Sequence, residues 1–316
     1  MPTTDRATRR DRAARRRGID ALLRHSPLQP VFRARAAHRL AVLAYHGIDD
    51  PTAFRAQMER LARTAHPVAP EQVAHAAEHR RPLPPRSVLV TFDDGDPTVL
   101  THALPVLARL RIPAAAYVIT DLIDSDRPYW WTEAAHLIRR GGHTHTLHGL
   151  DSAAAVHHLK TVPDVERLHV LAELRATASR QAPPQRQLSS AELRTLAEGG
   201  LTVGNHTASH PCLDRCEDSD LDAQLVRAHD RLTTCLGHPP TTFAYPNGNH
   251  DPRAETVLRT LGYRTAFLFD HRHAALAPAE RLRISRLRVN SHTGPDRFDT
   301  ILSGLHPAMH RLRGGR

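Results

Sequence analysis

The sequence predicts an α/β fold built on parallel strands, and three observations carry that reading. The apolar run Ser87-Val88-Leu89-Val90 is followed by a helical stretch, Pro97–Leu110, and a second apolar run, Ala114–Ile119, with short connections. The first run ends in Thr91-Phe92-Asp93-Asp94-Gly95-Asp96. Two adjacent carboxylates therefore stand at the C-terminal end of a strand, the edge where parallel α/β architectures hold their ligands. The same alternation of strand and helix resumes between Ser190 and Phe269.

Composition bounds the rest. The 316 residues suffice for one large domain or two small ones. Hydrophobic content is 40% and aromatic content 4%, so the core must be mostly Leu, Val and Ala. The net charge of +10 is carried almost wholly by arginine, Lys160 being the only lysine. Much of the excess lies in Arg6, Arg9, Arg10, Arg12, Arg15, Arg16 and Arg17, and residues 1–37 are expected to form a flexible or loosely helical basic arm before a catalytic domain at 38–316. Such an arm suits weak contact with an anionic membrane surface. No aromatic residue lies among those seven arginines, so no specific nucleic acid is expected. No stretch approaches the ~18 apolar residues of a membrane span. Residues 1–36 lack the apolar stretch of a secretory signal, so the expected location is cytoplasmic, in places against the inner membrane face. Cys212, Cys216 and Cys235 make no disulfide framework, which fits a reducing compartment. With 24 histidines, only His spacing is informative.

Taken in order, Leu40–Tyr45 reads as the first strand, ending in His46-Gly47. Ala53–Thr64 is helical, with Phe54, Met58 and Leu61 at helical spacing. Val68 suits a short strand, and Pro70 opens a helix over Glu71–His79. The proline-rich stretch 81–85 leads into Val88–Phe92. After the acids, Asp96 suits a helix cap and Pro97 the first helical position. Leu100, Leu104, Leu107 and Leu110 should face inward, and Pro105 should kink that helix. Residues 121–187 break the rhythm and read as an insertion at the ligand edge. It holds Tyr129-Trp130-Trp131, a His-studded loop (His143, His145, His148) read as solvated, and a helix around Val165–Arg180. Trp130 and Trp131 can line a sugar groove or serve as packing anchors. Ser190 should cap helix Ala191–Ala197, followed by strand Leu201–Asn205. Helix Asp220–Leu236, strand Thr242–Ala244, helix Pro252–Leu261, strand Thr265–Phe269, a late strand Ile284–Val289 and a closing helix Phe298–Leu305 complete the chain.

Two strand ends carry metal-type ligands. Asp93-Asp94 closes one and His206-x-x-x-His210 the other; on a helical turn both imidazoles can reach one ion. Joined to one of the acids, they make a His₂-Asp set with open positions, the form of a catalytic site, and leave the other acid free to act as a base. The implied reaction is hydrolysis of an amide or ester. A closed zinc site of His206, His210, Cys212 and Cys216 is the competing arrangement, and it leaves the two acids unexplained.

Thr91-Phe92-Asp93-Asp94-Gly95, His206-Thr207-Ala208-Ser209-His210 and Phe243-Ala244-Tyr245-Pro246-Asn247-Gly248 together resemble the three motifs of the polysaccharide deacetylases, the NodB-homology or carbohydrate esterase 4 group. The resemblance runs from about Leu40 to Val289. It implies a distorted (β/α) barrel of the NodB-homology type, with the insertion between the two metal-ligand motifs. It also implies a divalent metal, often zinc (cobalt, manganese and nickel being alternatives), and removal of N-acetyl groups from an amino-sugar or glycan substrate. By motif, it implies Asp93 as general base, Asp94, His206 and His210 as ligands, and Asn247 as the backbone donor to the oxyanion. Tyr245 shapes that loop and, with Trp130 and Trp131, is a candidate for substrate contact.

Two positions depart from the pattern. The arginine that such motifs place beside the catalytic aspartate is replaced by Ala244, and Arg286 in the late strand is the candidate substitute. The expected Leu-x-His acid is missing; His292, His46, His271 and His273 are candidates, and Asp93 itself or a metal-held water are the alternatives. The rival functions are another metal-dependent amide or ester hydrolase on the same ligands, and an inactive glycan-binding module.

Overall fold

The computed structural model describes residues 18–312. Its centre is a curled sheet of short strands: β1 (Arg39–Tyr45), β2 (His66–Pro67), β3 (Ser87–Phe92), β4 (Ala114–Val118), β5 (Leu201–Asn205), β6 (Thr242–Ala244), β7 (Thr265–Phe267), β8 (Ala274–Ala275) and β9 (Leu287–Arg288). The order is β7-β6-β5-β4-β3-β1-β8, with β2 beside the start of β3 and β9 beside β1. Every pair is parallel except β1 with β8. Ile284 bridges Phe267 of β7, and three residues later Leu287 and Arg288 pair with Leu43 and Ala44 of β1. One short segment thus touches both edges of the sheet and draws it into a distorted α/β barrel.

Alternation along each strand sorts the side chains. Outward residues such as Leu43, Tyr45, Val90, Phe92 and Ala116 pack against Phe54, Met58, Leu61, Leu107, Leu193 and Leu196 of the surrounding helices. Inward residues, among them Leu40, Val42, Leu89, Ala115, Tyr117, Phe267 and Ile284, fill the interior. A Cβ at Gly204 would lie 2.6 Å from the Tyr117 ring, so glycine there lets that ring occupy the centre. Followed toward the strands' C-terminal ends, the inward positions become His46, Thr91 and Asp93, His206, Phe269, and Arg286 and Arg288. Parity alone delivers polar groups from four segments, and an aromatic ring from a fifth, to one rim.

The insertion holds three helices, Trp130–Arg139, Ser152–Leu159 and Asp164–Thr177, around their own core of Leu137, Leu159, Val170, Leu171 and Leu174. Its two ends meet where Asp124 N–H donates to Leu188 O and Gln185 N–H to Asp126 O. His143, His145 and His148 are exposed, as expected for a solvated loop.

Several elements differ from expectation. The helix after the acids is π-helical over Val99–Ala103 and α-helical only over Leu104–Leu110. Pro105 has no N–H to donate, and the turn before it is widened. That rotates the buried face to Val99, Ala103, Val106 and Leu107, with Leu100, Leu104 and Leu110 only half-buried. Ser189, not Ser190, caps the next helix, reciprocally with Glu192, because the Ser190 hydroxyl is bonded to Asp124. The late strand shrinks to Leu287–Arg288, since Asp270 takes the Ser285 hydroxyl and the Arg286 N–H. The closing helix is two, Pro295–Leu302 and Leu305–Leu312, parted at Gly304 with φ 82°.

The arm also differs where it is described. Residues 18–24 are helical, as is Gln29–Ala36. Arg24 is paired with Asp296 and Asp299, Asp20 with Arg297, and Gln29 is buried against Ser303. The clustered arginines Arg6–Arg17 lie outside the described residues. Among the described residues no helix is long and apolar enough to cross a membrane.

Candidate active site

The two adjacent acids reach one pocket because the chain turns between them. Asp93 continues β3, its N–H donating to Tyr45 O at 2.9 Å. Asp94 takes the left-handed conformation at φ 69°, which aspartate tolerates better than most residues, and Gly95 continues the turn at φ 75°. The turn therefore starts at Asp94, one residue before the glycine. Asp96 then accepts from the Thr98 N–H at 2.8 Å and starts the helix.

His206 and His210 converge through a loop rather than a helical turn. Thr207 and His210 have φ of 69° and 59°. Asn205 accepts from Thr207 N–H and Thr207 Oγ1 from His210 N–H, which locks the loop. His206 Nε2 lies 3.4 Å and His210 Nε2 3.5 Å from Asp94 Oδ1. Two donors bonded to one tetrahedral zinc stand ~3.3 Å apart, so this spacing fits an ion shared by all three. Asp94 Oδ1 is buried without a hydrogen-bond partner, and His206 Nδ1 lies 2.7 Å from Ala244 O. Donation from Nδ1–H there leaves the Nε2 lone pair facing Asp94. Among the described residues this is the one group of three with metal-ligand spacing. Cys212 and Cys216 stand outside it, so the closed Cys-containing site is not formed.

Arg286 is wholly buried beside Asp93. Its Nη1 and Nη2 donate to Oδ1 and Oδ2 at 2.7 and 2.8 Å, and its remaining donors reach Leu268 O and Thr91 Oγ1. Burial works to raise the Asp93 pKa, but the charge of Arg286 and the hydrogen bonds it donates outweigh it and hold the carboxyl below the usual range. Burial likewise opposes ionisation of Asp94, but the imidazoles of His206, His46 and His210 around it outweigh that and hold the carboxyl well below the usual range. His210 is pulled down to about 3, first by burial, so it presents a neutral ring.

Above these groups is a pocket of about 310 Å³. His46, Trp131 and Phe269 form part of its wall, and Lys160, Asn247 and Arg288 complete it around the acids and the two histidines. His46 Nε2 is 3.9 Å from Asp94 Oδ2. Asn247 sits in the left-handed region at φ 55°, its side chain held by Lys160 at 2.7 Å.

Not every expected residue arrives. Trp130 is buried; its Nε1–H donates to His210 O at 3.1 Å and Arg167 covers its ring, so it anchors the insertion while Trp131 alone faces the pocket. Tyr245 is fully buried and donates to Leu282 O, behind the Asn247 loop and away from the pocket. His292 is exposed, because its neighbour Ser291 is turned inward to accept from the Asp49 and Asp50 amides. His271 faces His306, and His273 is bonded to Leu302 O. Of the four candidate histidines only His46 lines the pocket. Lys160, Phe269 and Arg288 were not foreseen; strand parity singles out the last two, and Lys160 carries no signal beyond being the sole lysine.

The sequence model of the polysaccharide deacetylases matches residues 80–266. The chain belongs to the polysaccharide deacetylase family. The matched span includes all three motifs, while His46, Phe269, Arg286 and Arg288 lie beyond it. Solved deacetylases are similar in fold. The deacetylase PplD of Streptococcus pyogenes, solved with acetate, has a TM-score of 0.59 at 16% identity over 84% of this chain and 98% of its own. IcaB of Ammonifex degensii has a TM-score of 0.58 at 21% identity over 84% and 96%. A de-N-acetylase of Aggregatibacter actinomycetemcomitans has 0.57 at 16% over 83% and 99%. The family's NodB-type (β/α) barrel is thus the fold of this chain.

Proposed function

We propose that the protein is a metal-dependent N-deacetylase of an amino sugar or glycan, releasing acetate. The observation that carries this is the division of labour between two neighbouring acids: Asp93 is clamped by Arg286, and Asp94 faces His206 and His210. Membership of the family supports the same reading. Asp94, His206 and His210 would hold a divalent ion, zinc suiting two imidazoles and a carboxylate. When bound, it supplies Lewis-acid polarisation and lowers the pKa of water.

The chain's own groups do the rest. Asp93, ionised and fixed by Arg286, takes the proton of the attacking water. The Asn247 N–H supports the oxyanion that develops on the acetamide carbonyl. Arg286 limits Asp93 to orientations in which both oxygens stay bonded. Trp131 and Phe269 offer aromatic faces to the sugar ring. His46, beside Asp94, is the histidine placed to give a proton to the leaving amine. The test is acetate release from N-acetylglucosamine oligomers and their O-acetylated counterparts. Amine and acetate in equal amounts are expected from the former. Turnover of esters alone would replace this reading with an esterase.

A further inference from the structure

Two cations on the pocket wall have no carboxylate partner. Lys160 is delivered by the insertion, just after helix Ser152–Leu159, and its ammonium is bonded to Asn247 Oδ1. Arg288 comes from β9 on the barrel. Its Nε and Nη2 both donate to Phe269 O, at 3.0 and 2.7 Å, and its guanidinium lies 4.8 Å from the centre of the Phe269 ring. Among the described residues neither forms an ion pair. The pocket's carboxylates are already engaged, Asp93 by Arg286 and Asp94 by the imidazoles. Burial acts against both charges and draws both pKa values down. Half-buried cations left without counter-charge are unfavourable unless a ligand supplies one.

A role confined to holding the Asn247 side chain does not require a charge, and it leaves Arg288 unexplained. Arg288 is fixed by Phe269 O, which keeps its guanidinium in place before any ligand arrives. Two separate segments, one in the insertion and one in the barrel, therefore bring positive charge to the same 310 Å³ cavity. We propose that Lys160 and Arg288 receive an anionic substituent, a carboxylate or a phosphate, carried by the same sugar unit as the acetamido group. This deepens the deacetylase reading and rests on it for the identity of the substrate.

The test compares zinc-loaded wild type with Lys160→Gln, which keeps a donor to Asn247 without the charge, with Lys160→Arg, and with Arg288→Met. Substrates are N-acetylglucosamine, its 6-phosphate and the corresponding N-acetylated uronic acid. A kcat/KM preference for one charged sugar over the neutral parent of about 10-fold or more is expected, narrowing in Lys160→Gln and Arg288→Met, surviving in Lys160→Arg, and shrinking with salt. The phosphate and uronate arms tell the two anions apart. Calorimetric binding of the same sugars is measured in parallel, and melting curves check that each variant folds. If acetate is released but charged and neutral sugars are used equally, the anion site is wrong and the deacetylase reading stands. If no sugar is turned over, binding decides: a charge preference lost in the variants keeps the site and removes the deacetylase reading, and equal binding removes the site. Should Lys160→Gln fail to fold, Arg288→Met and the salt dependence of wild type decide alone.

Discussion

Arg286 grips Asp93 through two parallel N–H···O bonds, although the partners stand 193 positions apart in the chain. Both side chains are almost wholly removed from water, so the pair matters to stability as well as to chemistry. Arg286→Met should strand a buried carboxylate and cost about 3–5 kcal/mol, read as a lower urea midpoint. Arg286→Lys should keep the charge but lose the two-point grip, lowering kcat more than stability. Turnover at the wild-type rate in Arg286→Lys would mean that Asp93 needs no such orientation.

The two acids should separate cleanly. Asp94→Ala is expected to lose bound zinc on dialysis, measured by elemental analysis, together with activity. Asp93→Asn should retain the metal and lose activity by about 10²–10⁴, the range for a general base. Chelation should lower the melting temperature of wild type, and added zinc should restore it, since an ion that binds only the folded chain stabilises it. Asp94→Ala should show no such response.

The adjacent tryptophans should behave differently. Trp130→Phe removes a buried donor to His210 O and should cost about 1–3 kcal/mol, seen in the melting curve. Trp131→Ala, on the pocket wall, should raise KM for the sugar with a smaller effect on melting. The reverse pattern would exchange their roles.

Acid sensitivity has an origin away from the site. Glu255 is 7% exposed; burial alone would raise its pKa, but bonds from Arg283, His250 and Arg259 bring it down to about 2. A depressed carboxyl stabilises the fold fully above its unfolded value, ~4.3, and loses that contribution as pH falls through the folded value. Wild type should therefore exceed Glu255→Gln by on the order of 2 kcal/mol near pH 6, with the difference closing toward pH 2. A constant difference across that range would place the effect in packing instead.

Most of the architecture was legible because the longer strands β1, β3, β4 and β5 are short, mostly apolar runs with Gly or Pro close to one end. The three motifs named the acids and histidines before any distance was known. What escaped were contacts that depend on closure. Arg286 is the expected partner of Asp93 because it lies in the late strand, yet nothing local in Ile284-Ser285-Arg286-Leu287 shows the two-point grip its guanidinium makes across the interior. The positive φ at Asp94 and at His210 is equally silent in sequence, since it replaces the helical turn that His-x-x-x-His suggests. The docking of residues 18–36 was hidden by the arginine-rich run before them; Asp296, 272 positions after Arg24, and Asp299 supply the missing charge.

The segment 284–288 links the two edges of the sheet and carries both Arg286 and Arg288. In chain order, the part that supplies the acids and the histidines comes before the part that disciplines them. A partly assembled barrel would already hold ligands for an ion yet have a loose base and an unfinished pocket. Loosening that segment should therefore cost hydrolysis before it costs metal uptake, so that incomplete molecules are chemically silent.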